Sequence, residues 1–486
     1  MGGELKNRVA AGVAWNISEK VGSMLLQLVV SIIVARQLMP EDFGVMAILT
    51  FFTSIALSVV DSGFSQTLIR KKEPSDADFG SVFIFNLAMS VLLYALLTAV
   101  APLVARFYGL PVISQIAPVL FLLLPINALC VIQNTIFTRQ FRFGLLSRAT
   151  FAASLAGGLT AVVMAVGGCG VWSLVGQRLA TAATKSAILW MCNRRPPTGR
   201  FSFDAIREMA PFSFRLLGTD IISSVYNNIA QMFIGKIYSA DTLGYFNQAQ
   251  KFKDLPVTST LQSVQSVTYP ALSKIGGDTR KFAESYRQVL MAVAFIMFPM
   301  MAGLVAVADD MFMLLLGPKW MPTVPYLQVL CITGLFAPLA GISLNILKVC
   351  SDGRIIINLE IVKKIIMTAI LAVTVTHSTM AVAWGLAAVS LSDFAVNLLA
   401  STRFTSLTIA RTVRTLLPIA FITVAMYAAV TVAGHFLAPL ALPLRLSAKI
   451  LTGVAVYAVL ALAFRLESAR EVHSVARKVL FRQENR

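Results

Sequence analysis

The sequence predicts an all-helical integral membrane protein with about fourteen transmembrane helices, arranged as two parallel six-helix lobes plus two C-terminal helices. Three observations lead there. Hydrophobic residues make up 57% and charged residues only 13% of the 486-residue chain, and the mean hydropathy is +0.76. Apolar runs of about 20 residues recur from end to end, each long enough to cross hydrocarbon as a helix that satisfies its own backbone. The chain also repeats its own pattern after 200 residues.

The expected spans lie near 13–35, 43–60, 79–103, 113–136, 147–166, 170–191, 213–236, 244–268, 287–308, 323–347, 356–376, 379–400, 415–437 and 446–464. The first is longer than a signal-peptide core and lacks a small-residue cleavage site, so it is expected to stay attached. Residues 1–191 make the N-terminal lobe, 192–212 a charged, proline-bearing cytoplasmic linker and 213–402 the C-terminal lobe. The last two spans fill 403–464, and 465–486 form a basic cytoplasmic tail that resembles an amphipathic helix on anionic headgroups. No stretch is left for a soluble domain.

The net charge of +18 reads as orientation rather than as a nucleic-acid surface. With both termini cytoplasmic, thirty of the forty-one Lys and Arg fall on inside segments, among them Lys348, Arg354, Lys363 and Lys364. The outside segments hold six: Arg36, Arg106, Lys236, Lys319, Arg445 and Lys449. That bias is the positive-inside rule. The five cysteines are scattered, with no CxxC, so neither a disulfide framework nor a metal site is expected.

The repeat sets "VARQLMPEDFG" at 34–44 against "IGKIYSADTLG" at 234–244, pairing Arg36 with Lys236, Glu41 with Asp241 and Gly44 with Gly244. Upstream, Asn16, Lys20, Ser23, Gln27 and Ser31 recur at steps of three and four, a single helical stripe. Asp220, Ser224, Asn227 and Gln231 form its counterpart in nearly the same register. Six spans per unit is an even number, so the units are parallel, and transporters built this way place substrate between their halves.

The spans that follow carry stripes too: Thr50, Ser54, Ser58 and Asp61 in one, Asn247, Lys251, Asp254, Thr258, Gln262 and Gln265 in the other. A charge at bilayer depth costs roughly 2.5–3.5 kcal/mol on the insertion scale, so such faces avoid lipid. Lys253 is about 200° round the helix from Lys251, and only the Lys251 face is polar throughout. Lys251 and Asp254, three apart, are positioned to pair. Interhelical hydrogen bonding accounts for some of these amides and hydroxyls; four stripes in corresponding places are better explained by a central hydrophilic cavity. His377, His435 and His473 form no catalytic or metal constellation, and "VGGCGVW" reads as a turn.

Several stretches together resemble a known family: "ARQLMPEDFG", "LIRKKE", "FYGLP", "TRQFRF", "LGYFNQAQKFKDLP", "YPALSKI", "LLGPKWMPTVPYLQVLCITGL" and "LNILKVCSDGRIIINLEIVKKII". From about residue 5 to about 430 the chain is similar to the polysaccharide exporters of the multidrug, oligosaccharidyl-lipid and polysaccharide transporter superfamily, in the branch of colanic acid exporters. The resemblance implies a flippase, not an enzyme, for polyprenyl-pyrophosphate-linked oligosaccharide in a bacterial inner membrane. It serves exopolysaccharide, O-antigen or capsule synthesis by alternating access and needs no cofactor. Membrane lipids are implied partners, with the polysaccharide polymerase machinery as a further candidate.

Cationic residues that fit the pyrophosphate are Lys20 and Lys251, with Arg36 and Lys236 nearer the outer rim. Asn16, Gln27, Asn227, Gln231, Asn247 and Gln262 offer hydrogen bonds to sugar, and Asp220, Asp254 and Asp61 are candidates for coupling to H⁺ or Na⁺. Two rivals are weighed against this. A cation-coupled multidrug exporter of the same superfamily would show an acidic, aromatic cavity, and a membrane glycosyltransferase would need a large outer loop.

Overall fold

The computed structural model describes residues 22–61, 63–193, 199–274, 279–350, 353–404 and 408–464, with side chains at all of them except 262–274, 279–282 and 353. Sixteen helices account for the fourteen expected spans. They are α1 (Gly22–Gln37), α2 (Pro40–Asp61), α3 (Phe64–Arg70), α4 (Asp76–Tyr108), α5 (Val112–Leu120), α6 (Leu123–Arg139), α7 (Phe143–Val166) and α8 (Trp172–Cys192). There follow α9 (Phe203–Ile237), α10 (Ala240–Lys274), α11 (Thr279–Leu315), α12 (Thr323–Cys350), α13 (Gly353–Thr374), α14 (Thr379–Ser401), α15 (Ile409–Phe436) and α16 (Leu442–Ala463).

Among the described residues two pairs of helices follow one another across a break, the first beyond the span expected at 43–60 and the second inside an expected span. α3 continues α2, and α5 with α6 makes the span expected at 113–136. The second break has a sequence cause: Pro125, third residue of α6, has no N–H to give the Phe121 carbonyl, so the helix restarts there. Several helices outrun the apolar stretch that announced them. α9 starts ten residues before the apolar run, capped by the Ser202 side chain, because a helix continues into the polar zone as long as its termini are satisfied. Residues 203–212, within the stretch read as a linker, are therefore helical.

Among the described residues, nine helical stretches are long and apolar enough to span a membrane unaided. The remaining five spans are α1, an apolar helix of only 16 described residues, and α8, α9, α10 and α13, each with charged side chains within it.

The chain divides into two compact units, Met1–Gly244 and Tyr245–Arg486. In the first, α9 runs along α2 and packs on α3 and α4 as well. Phe64, Leu68, Val82, Ile132, Ala205, Ile206 and Met209 form one buried cluster there, so the first two turns of α9 are seated among α3, α4 and α6. α7 and α8 are held close because Gly157 faces Thr181 and Gly176 faces Met164 with no room for a Cβ. Small residues are what let helices approach in lipid, where apolar burial alone gives no preference for a neighbour.

The second unit repeats the packing plan. α14 lies on α12 and α13 as α8 lies on α6 and α7. One bond recurs at the corresponding place: Trp190 Nε1–H donates to the Leu129 carbonyl at 3.0 Å, and Asn397 Nδ2–H to the Ala340 carbonyl at 3.0 Å. α15 and α16 are joined to α11 by a core of Ile422, Met426, Val430 and Tyr457 against Phe295. At their far end Asp310, buried, accepts from Arg445 and pairs with Lys449 at 2.6 Å.

The repeat is also visible as a reciprocal contact. A Cβ on Gly44 would collide with the carbonyl oxygen of Ala240, and a Cβ on Gly244 with that of Pro40. The first turns of α2 and α10 thus cross backbone to backbone, each contributing the residue 200 positions from its counterpart. Glycine is required at both places by this approach.

Candidate functional site

In the first unit the frame of the site is the contact of α9 with α2 and α3, held at both ends. At the end carrying loop 71–75, the Thr67 and Ser213 hydroxyls bond at 2.7 Å and the Arg70 guanidinium sits 4.6 Å above the Phe212 ring. Lys71 Nζ bonds Glu208 at 3.0 Å and Asp78 at 3.1 Å. Asp78 also closes a capping box with Ser75 that starts α4.

Arg139 fixes this loop. Its guanidinium donates to the carbonyls of Leu68, of Ile69 at 3.1 Å, of Lys71 at 2.7 Å and of Lys72 at 3.3 Å, and so caps the C-terminal end of α3. We term this face, with residues 71–75, 140–142, 193 and 199–202, the basic end.

The bond to Glu208 raises the Lys71 ammonium above its ordinary 10.5. A raised lysine pKa adds stability that is complete below the unfolded value and lost as pH climbs through the folded one. The latch is therefore constant through neutral pH; strong alkali releases it by deprotonating Lys71, and strong acid by protonating its carboxylate partners. Glu208 is 65% exposed and Asp78 only 4%. A double-mutant cycle of Lys71 with Glu208 is accordingly expected to return less than about 1 kcal/mol, and the cycle with Asp78 distinctly more; equal couplings would show that burial of Asp78 contributes nothing.

Deeper in, Arg178 Nη2 on α8 donates to Thr50 Oγ1 at 2.8 Å, and the Ser58 and Ser224 hydroxyls meet at 3.2 Å. Part of the α2 stripe is therefore spent on helix packing. Asp61 accepts from Ser65 and lies within electrostatic range of Asp220, so two of the three expected ion-coupling carboxylates share one neighbourhood. The third, Asp254 on α10, pairs with Lys253 at 2.5 Å.

The other expected residues fall as follows. Gln27 on α1 and Asn227 on α9 are exposed, and Gln231 is half-buried. At the end opposite the basic one, Arg36 is exposed, and Lys236 donates to the Phe107 carbonyl with its ammonium 4.1 Å from the Phe107 ring centre. On α10, Asn247 is half-buried and Lys251 exposed, while Lys253 keeps only 12% of its side chain exposed. Lys251 is the twelfth residue of α10, about 16 Å along it at 1.5 Å per residue. Lys20 and Asn16, the Gln262 side chain, and the tail 465–486 lie outside the described residues.

Several charges were missed by sequence reading. Arg178 and Lys185 lie within α8. Lys363 and Lys364, counted above with an inside segment, are the eleventh and twelfth residues of α13. Lys363 is buried and bonds Glu360, and Asp393 on α14 feels the charges of all three. Asp393 Oδ1 and both polar atoms of Gln248 and of Asn86 are buried with no hydrogen-bond partner among the described residues. The available signal was a pair of lysines three and four residues after a glutamate inside an otherwise apolar window; averaging over that window hid it. Among the described residues no cluster of three His, Cys, Asp or Glu is placed to hold a metal ion.

A family model described as polysaccharide biosynthesis protein matches residues 33–325. The succinoglycan biosynthesis transport protein ExoT of Rhizobium meliloti is 24% identical over 68% of this chain and 67% of its own length. The teichuronic acid biosynthesis protein TuaB of Bacillus subtilis is 23% identical over 81% of this chain and 82% of its own. Among solved structures, the lipid II flippase MurJ in an inward closed conformation superposes with a TM-score of 0.74 at 14% identity, covering 98% of this chain and all of that one.

Proposed function

The chain belongs to the polysaccharide biosynthesis protein family, and from that premise we propose that it flips polyprenyl-pyrophosphate-linked oligosaccharide from the cytoplasmic to the outer leaflet of a bacterial inner membrane. Its relatives ExoT and TuaB are named for the synthesis or transport of surface polysaccharide, and the lipid II flippase MurJ shares its fold. In this reading the basic end is cytoplasmic, as the positive-inside bias requires. The duplicated lobes 1–191 and 213–402 alternate access around the stripes, and no chemical step is catalysed.

The observation that carries the proposal is Lys251, an exposed cation about 16 Å along α10 and one turn after Asn247. A lysine held there against lipid would cost roughly 2.5–3.5 kcal/mol; facing water and a diphosphate, it costs little and binds as a point charge. Asn247, Asn227, Gln231, Gln27, Asn16 and Gln262 supply hydrogen bonds to sugar. Arg36, Lys236 and Lys20 extend the cationic path, and the prenyl tail stays in lipid.

Outward movement of one negative charge gains about 2.3 kcal/mol per ~100 mV, inside negative, which drives export without a nucleotide. Asp61 with Asp220, or Asp254, provides the site where H⁺ or Na⁺ would couple. The test is flipping of a fluorescent polyprenyl-diphosphate oligosaccharide in proteoliposomes, with a diffusion potential and a pH gradient imposed in turn. Acceleration by either is expected. Movement of lipophilic drug cations with no movement of the glycolipid would instead establish the multidrug exporter.

A further inference from the structure

A cavity at the basic end, on the flank of the first unit formed by α7 and α8, belongs to none of the residues used above. Its volume is about 590 Å³, and Arg142, Gly144, Arg148, Ala152, Ile188 and Cys192 line it. Its polar surface is therefore two guanidinium groups and a thiol. From Arg148 an exposed apolar strip continues along α7 through Phe151, Leu155, Leu159 and Val163, which are 39%, 41%, 59% and 69% exposed. At 1.5 Å per residue the strip reaches about 22 Å from Arg148, longer than one leaflet of a ~30 Å hydrocarbon core.

The loop before α7 is strained in a way that fits the same place. Phe141 has φ +56°, a left-handed backbone that a bulky side chain adopts at a cost of about 1–3 kcal/mol. Its ring is 65% exposed and packs edge-on against Phe143, with centroids 6.0 Å apart. An aromatic pair at this level belongs among headgroups, where such rings concentrate. The left-handed residue directly precedes Arg142, which lines the cavity.

We propose that this cavity is a binding site for an anionic glycerophospholipid, with the headgroup phosphate between Arg142 and Arg148 and one acyl chain along the α7 strip. Guanidinium groups suit phosphate because they present forked donors. Among the described residues that line it, none offers a side-chain amide or carboxylate to a sugar, so the occupant is a plain phospholipid and not the glycolipid of the transport reaction. The site stands independently of the transport reading.

Cys192 is exposed in the cavity and reports its occupancy. The full chain is placed in nanodiscs of phosphatidylcholine, with or without added phosphatidylglycerol, and alkylated with N-ethylmaleimide; the rate at each cysteine is read by peptide mass spectrometry. Phosphatidylglycerol at about nine times its Kd is expected to slow Cys192 by about tenfold. Cys350, exposed where α12 ends, controls for the effect of surface charge on any thiol.

Arg142→Gln with Arg148→Gln should abolish the protection. Gly144→Leu should abolish it with both arginines intact, because a Cβ there meets nothing within 4 Å and the larger side chain fills the mouth without strain. Equal slowing of Cys192 and Cys350, or protection that survives the arginine replacements, would overturn the site. So would protection by a polyprenyl diphosphate and not by phosphatidylglycerol.

Discussion

Lys251→Ala is expected to lower the flipping rate of the lipid-linked oligosaccharide by about 10- to 100-fold while the purified protein melts as before. The magnitude follows from the loss of one hydrogen bond to a charged group at about 1.5–3 kcal/mol, at about 1.4 kcal/mol per tenfold. Melting is unaffected because the side chain is exposed and takes no part in a buried cluster. Lys251→Arg keeps the charge and should retain most of the activity, whereas Lys253→Ala removes the charge paired with Asp254 and should act mainly on stability. The readout is glycolipid retained on the cytoplasmic leaflet of cells or the inner leaflet of vesicles. Full activity of Lys251→Ala would remove this residue from the substrate path and leave the fold untouched.

The second large effect is on the crossing of α2 and α10. Gly44→Ala and Gly244→Ala should each destabilise the protein by about 1–3 kcal/mol, since overpacking a tight contact forces backbone shifts. Each new methyl group would occupy the position of a carbonyl oxygen on the other helix, Ala240 for one and Pro40 for the other. Once one methyl has wedged the helices apart the second meets less resistance, so the double variant should cost clearly less than the sum of the two singles. Additive losses, measured by thermal unfolding in detergent, would mean that the two glycines act separately and that the contact is not shared.

Sequence aligns those two glycines by an offset of 200, and the structure gives that offset a physical meaning: each abuts the first residue of the other's helix, Gly44 the Ala240 carbonyl and Gly244 the Pro40 carbonyl. The span pattern was legible for a similar reason, because hydrocarbon thickness imposes one length on every helix. Helix ends were less so. α9 begins at Phe203, well before its apolar run, since hydropathy reports where lipid lies and not where hydrogen bonding stops.

The stripes were readable as periodicity, yet periodicity does not say what a side chain touches. Thr50 and Ser58 hold Arg178 and Ser224, while Gln27 and Asn227 on comparable stripes remain exposed. Asp254 illustrates the same limit: it bonds Lys253, the neighbour one residue away, a contact that the three- and four-residue spacing of its stripe does not encode. Intrahelical charges such as Arg178 and Lys363 escape that reading because a mean over about twenty residues absorbs them.

Arg139 touches neither stripe nor cavity, yet much converges on it. By gathering the carbonyls of Leu68, Ile69, Lys71 and Lys72 it shapes the loop from which Lys71 reaches Glu208 and Arg70 covers Phe212. The anchorage of α9 is thus inherited from one planar group on a different helix. A lysine there, with a single ammonium, could not span four acceptors at once, so the position tolerates no substitute of equal charge. A lesion far from any sugar or phosphate would loosen the machinery as surely as one in its path.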